Sequence, residues 1–163
     1  GPCAFMYAYN PDTVFSSIDY GGRYAYGNQP AIAQWNLARF AETLLPLIDA
    51  DQQKAVAIVT EVLVEYSARF QRYWLAGMRK KLGLRNEEAD DVELIQSLLG
   101  WMHKSGADFT NTFRSLSEEP GIGNRSQDAD FLAWSSQWQL RLSREGQSDG
   151  AASALMRSPF ALT

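Results

Sequence analysis

From residue 30 onward, apolar residues recur every three or four positions, the period of helices that each bury one face. Pro30 to about Leu45 carries Ala33, Leu37, Phe40, Ala41 and Leu44 on one stripe, with proline where a first helical turn tolerates it and Pro46 expected to end or kink the helix. A longer helix is predicted over about Asp51 to Lys81, with Val56, Val59, Leu63, Tyr66, Phe70 and Trp74 in line, Asp49 or Asp51 as cap and Gly83 as stop. A third begins near Asp90 or Asp91, bears Val92, Ile95, Leu98, Leu99 and Met102, and stops at Gly106. A short helix over Ala107 to Leu116 presents Phe109, Phe113 and Leu116. After a loop from Glu118 to Gln127, Asp128 to Arg144 carries Phe131, Trp134, Trp138 and Leu142, and one more turn is expected around Ala151 to Met156.

Residues 1–29 follow neither the helical nor the strand period. They are rich in Gly, Pro, Ser, Asn and Tyr, and predict an extended, looped arm. Its aromatics, from Phe5 to Tyr26, are too many for a free tail and are expected to pack on helices or on a partner. Without strand-like alternation or a repeat, the class is all-α, a helical bundle whose expected core includes Phe40, Leu44, Val59, Leu63, Phe70 and Leu98. The division is an arm at 1–29, a helical domain at 30–157 and a tail at 158–163.

Composition narrows the classes. A chain of 163 residues with 45% hydrophobic content can form one domain with a real core. A net charge of −4 argues against nucleic acid as a partner, since such binding needs positive surface at the phosphates. The best apolar run, Ala55 to Val64, is interrupted by Thr60 and Glu61, so no membrane partner is expected. A single cysteine, Cys3, allows no internal disulfide and fits a reducing compartment.

Candidate chemistry concentrates just before and within the first helix. Arg23, Tyr24, Asn28, Gln29, Trp35, Asn36 and Arg39 form a polar–aromatic cluster behind the turn Asp19–Tyr20–Gly21–Gly22. Two readings stay open. The cluster positions catalytic segments or a substrate peptide, for which the planar fork of arginine is suited; or it satisfies loop carbonyls and caps the helix.

Other features carry less. Asp19 before two glycines is turn chemistry, with no second carboxylate at metal spacing. Gly121 to Ser126 follows no strand and lacks the Lys-Ser/Thr of a phosphate loop. Arg69, Arg72, Arg79, Lys80, Lys81 and Arg85 make a basic helix end, read as a solvated and partly paired face. His103 alone makes neither a triad nor a zinc site and is expected at the surface. The five tryptophans are expected in cores or interfaces.

The stretch from Ser17 to Leu47, with D-Y-G-G-R-Y-A-Y-G-N-Q-P at its heart, resembles the selenoprotein O/YdiU family, as do D-F-T-N-T-F-R (Asp108 to Arg114), M-R-K-K-L-G-L (Met78 to Leu84) and the opening G-P-C-A-F-M. The resemblance covers about residues 1–157. It implies a kinase-like enzyme that transfers AMP from ATP to Ser, Thr or Tyr hydroxyls of proteins, with ATP and magnesium as cofactors of the whole enzyme. It also implies that the phosphate-binding Lys, the catalytic Asp-Asn pair and the metal-binding Asp precede Gly1; a first residue other than Met fits an internal start. The chain then resembles the C-terminal lobe and helical extension, with residues 1–29 as an activation-segment-like arm. On that basis it holds no catalytic or metal-binding residue, binds no cofactor by itself and does not catalyse alone. The implied partners are the N-terminal catalytic region and protein substrates, in a bacterial cytoplasm, with self-association of the chain through its apolar arm. Tyr7 stands where the family pattern has Asp, which should remodel the arm slightly, and the ending S-P-F-A-L-T lacks the expected N-P-x-x-x-x-R-N-like run. The alternative is a stand-alone α-helical interaction module that grips a partner with the arm and first helix.

Overall fold

The computed structural model describes residues 6–118, 128–146 and 149–157. A 3-10 turn, Tyr26–Asn28, leads into α1 (Gln29–Ile48), α2 (Gln52–Lys81), α3 (Asp91–Ser105), α4 (Phe109–Ser117), α5 (Ala129–Arg144) and α6 (Asp149–Met156). Among the described residues the only strand-like pairing is a single bridge, Ala8 with Asp108, so the chain is all-α. Cys3, most of the loop at 118–127 and the ending from Ser158 lie outside the described residues.

The helix limits follow from local chemistry. The Asp51 carboxylate accepts the N–H groups of Gln53 (2.9 Å) and Lys54 (3.3 Å). Asp108 does the same for Asn111 (2.6 Å) and Asp128 for Phe131 (3.0 Å), satisfying donors a helix start leaves open. Asp108 as cap also places the start of α4 at Phe109, two residues later than the apolar pattern predicts. Gly83 (φ 74°) and Gly106 (φ 67°) take the left-handed conformation just past α2 and α3. Pro46 neither ends nor breaks α1, which runs on to Ile48. It sits in the last turn, where the carbonyl deprived of its N–H partner is at an exposed end.

The chain forms two compact bodies, one built on Pro11–Tyr73 and the other on residues from Trp74 onward together with residues 6–10. The second body holds the core. Leu82, Leu84, Ile95, Leu98, Met102 and Phe131 are fully buried there, beside Trp101, Trp134 and Trp138. Each buried indole N–H finds an acceptor: Trp101 the Asp128 carboxylate, Trp134 the Leu94 carbonyl and Trp138 the Leu82 carbonyl, all at 2.9 Å. Residues 6–10 are tied on through two backbone bonds, Tyr9 N–H to Ala107 (2.9 Å) and Phe109 N–H to Tyr7 (3.0 Å), and Tyr9 stacks on Phe109. The Tyr7 side chain points into solvent.

Asp91, at the first position of α3, is wholly buried and charged. Its carboxylate accepts from Arg79 Nε (2.7 Å), Arg141 Nε (2.8 Å) and the backbone N–H of Glu88 (2.9 Å). Arg141, also buried, spends its remaining donors on Glu145 (2.7 Å) and the carbonyl of Asn86 (2.8 Å). The Glu145 carboxylate in turn accepts the backbone N–H groups of Arg85 and Asn86. The basic end of α2 is therefore not wholly a solvated face: Arg79 is an interior ion-pair partner, further paired to Glu87 at 3.0 Å.

The first body is different. Its buried apolar residues are Ala25, Ile32 and Ala55. Of the expected core, Leu98 in the second body is fully buried, but Phe40 is 59% exposed and Phe70 37% exposed. Leu44, Val59 and Leu63 are half-buried. Two helices and a loop can cover only one line of each stripe, so the apolar width of α1 and α2 exceeds what this body encloses.

Two outcomes test this division. Leu98→Ala should cost about 2–5 kcal/mol by denaturant unfolding, whereas Phe40→Ala should cost less than about 1 kcal/mol. Burial alone would raise the Asp91 pKa, but the bonds from Arg141, the Glu88 N–H and Arg79 outweigh it and hold the carboxyl below its ordinary value. With a folded pKa under the unfolded one of about 3.9, this stabilisation is complete above that value and is lost as pH falls through the folded pKa. Asp91→Asn should accordingly remove several kcal/mol at pH 7 and flatten the acid limb of the stability–pH curve.

Candidate functional site

The loop ahead of α1 closes around one carboxylate. Asp19 accepts the N–H of Arg23 on one oxygen (2.9 Å) and the N–H of Tyr24 on the other (2.7 Å). Gly22 supplies the left-handed turn between them, with φ 65°. The Asn28 amide donates to the Gly22 carbonyl (2.9 Å) and the Gln29 amide to the Tyr24 carbonyl. The other side of the loop is pinned by Tyr26 N–H to Thr13 (3.0 Å) and Gly27 N–H to Pro11 (2.7 Å). Gly27 lies so near Pro11 that a Cβ would come within 3.2 Å of its ring and carbonyl, so only glycine fits without a shift.

This scaffold holds Arg23 and Tyr24 beside α1. The Arg23 guanidinium lies 4.3 Å from the Trp35 ring centre and 5.7 Å from that of Tyr24. Arg39, one turn further along α1, approaches the same indole at 5.6 Å and pairs with Glu42. Two cations thus share one indole at the surface, where such a contact is worth about 0.5–1 kcal/mol. Trp35 is 47% exposed and Asn36 beside it is exposed.

The structure therefore brings Arg23, Tyr24, Trp35 and Arg39 into one surface cluster, while the exposed Asn28 and Gln29 bond to loop carbonyls. No side chain caps α1: Asn28 is itself near-helical (φ −88°, ψ −7°), because the 3-10 turn runs straight into the helix. Asp19 is turn chemistry, both its oxygens bonded to backbone. Among the described residues no three His, Cys, Asp or Glu side chains gather as a metal site, and His103 is exposed on α3. No described helix is long and apolar enough to cross a membrane.

Missed from the sequence were Arg79, Asp91 and Arg141. A signal did exist for the last: Arg141 continues the apolar stripe of Trp134 and Trp138 at helical spacing, where a solvated arginine would not belong.

Arg23→Ala should shift Trp35 emission while changing stability by no more than about 1 kcal/mol, since only exposed contacts are lost. Asp19→Ala should cost more than Arg23→Ala, because two backbone donors lose their acceptor. Tryptophan fluorescence during denaturant titration reads both effects.

Comparison with known proteins returns one consistent family. The family model for protein adenylyltransferase SelO matches residues 1–149. Relatives carrying the name protein nucleotidyltransferase YdiU include one from Rhizobium etli, 55% identical over 97% of this chain and 33% of its own length. Another, from Halalkalibacterium halodurans, is 52% identical over 96% of this chain and 32% of its own. A third, from Nitrosococcus oceani, is 56% identical over 87% and 29% respectively. The chain spans about a third of the length of these relatives.

Proposed function

The chain belongs to the SelO protein adenylyltransferase family, and we propose that it serves as the helical part of an enzyme that transfers AMP from ATP to protein hydroxyls. In that reaction a Ser, Thr or Tyr oxygen bonds to the α-phosphorus, the bond to the pyrophosphate oxygen breaks, and the hydroxyl proton is released. The whole enzyme would use ATP and magnesium in the bacterial cytoplasm. No step is assigned to a metal on this chain, and the reading puts the groups acting at the phosphate in the rest of the enzyme.

The chain's own contribution is positional. The observation that carries this reading is the Arg23–Trp35–Arg39 cluster, with both guanidinium groups over the Trp35 ring and its loop locked by Asp19. A fork oriented in advance loses less freedom when it meets a carboxylate or phosphate oxygen, and small errors of placement are costly in group transfer. Tyr24 and Asn36 flank the cluster, while Asn28 and Gln29 hold the loop that presents it.

The test uses ATP labelled at the α-phosphate, magnesium and a protein acceptor. This chain alone should transfer no label. A chimera carrying it in place of the matching third of the Rhizobium etli relative should transfer label, and Arg23→Ala or Trp35→Ala in that chimera should slow transfer by about 10–100-fold. Labelling by the chain alone, or full activity in both variants, would overturn the positional role.

A further inference from the structure

α1 and α2 each display an apolar stripe that the first body does not cover. On α1 it is Leu37, Phe40 and Leu47; on α2 it is Ile58 and Val62. Leu47 is 83% exposed and Val62 67%.

The geometry of the hairpin joins these stripes. The helices are linked by Asp49–Ala50–Asp51 and therefore run antiparallel. They meet where the Gln34 amide donates to the Leu63 carbonyl (3.1 Å) and accepts from the Ser67 hydroxyl (3.3 Å). At about 100° per residue, Leu37, Phe40 and Leu47 centre roughly a quarter-turn from Gln34. Ile58 and Val62 lie at a similar angle from Leu63, in the same rotational sense. In two antiparallel helices of one hand, stripes turned equally from the contact line emerge on the same side. Near the turn of the hairpin the two stripes share one apolar face, which Arg69, paired with Glu65, ends further along α2.

We infer that this face is the docking surface for the part of a SelO-type polypeptide that this chain does not include. The inference rests on the proposed function and names its internal partner. The chain spans about a third of its relatives' length, so in a relative some two-thirds of the polypeptide is tethered to this hairpin. A tethered segment acts at an effective concentration that can reach the millimolar range, and fills an apolar face before a second copy arriving from solution can.

The test compares this chain with the Rhizobium etli chimera. In the chimera, backbone amides of residues 37–47 and 58–62 should exchange with solvent at least about tenfold more slowly than in the chain alone. Phe40→Asp with Val62→Asp should leave the melting temperature of the chain alone unchanged but lower that of the chimera. Should the doubly substituted chimera fail to fold, Phe40→Ser with Val62→Ser gives the same comparison with a smaller drop. Equal exchange in both proteins, or equal effects of the substitutions in both, would overturn the inference. So would light scattering that shows a dimer of the chain alone, dissolved by the substitutions, whose face stays equally protected in the chimera as a dimer. AMP transfer is read separately: a protected face without transfer would sink the proposed function and leave the docking face standing, and transfer with an unprotected face would do the reverse.

Discussion

A wholly buried carboxylate held by two arginines is the constraint around which the larger body is arranged. Asp91 opens α3, Arg79 closes α2, and Arg141 comes from α5, so one charge fixes three helix ends. A charge removed from water is tolerable only if its partners are placed well, and here every oxygen of Asp91 has a donor. The penalty for slipping any of these helices by a turn is an uncompensated interior charge, a stronger discriminator between packings than exchanging one leucine for another. Around it the stacked tryptophans and fully buried aliphatics supply the bulk of the apolar burial.

The two bodies show unequal relations between apolar content and enclosure. In the body from Trp74 onward, the stripes of α3, α4 and α5 meet each other, and the residues that periodicity picks out are buried. In the body built on Pro11–Tyr73, the loop is locked by its own hydrogen bonds while the helices keep apolar surface exposed. Local order there comes from Asp19, Gly22, Asn28 and Gln29, not from a core.

Most helix limits were legible because they depend on neighbours in sequence: Asp51 and Asp128 at starts, Gly83 and Gly106 at the stops. The all-α class followed from the same period. Phe40 and Phe70 were misplaced because a stripe says that a face wants covering and is silent about what covers it. Arg79 and Arg141 were missed because their partner lies 12 and 50 positions away, and a charged residue read singly defaults to solvent. The candidate cluster was legible as an unusual density of Arg, Tyr, Asn and Gln. Its split into cations at the Trp35 ring and amides bonded to loop carbonyls depends on a fold of the backbone that spacing does not reveal.

The tryptophans separate the two bodies optically. Trp134 and Trp138 lie 5.6 Å apart with ring planes only 10° from parallel, both buried. Two indoles packed that closely in a chiral interior give near-ultraviolet circular dichroism, and that contribution belongs to the larger body. Trp35, out in the solvent on the smaller body, contributes almost nothing to that signal. The molecule thus carries its own chiral marker for one half of itself, able to report whether that half stays assembled while the other is rearranged by whatever binds it.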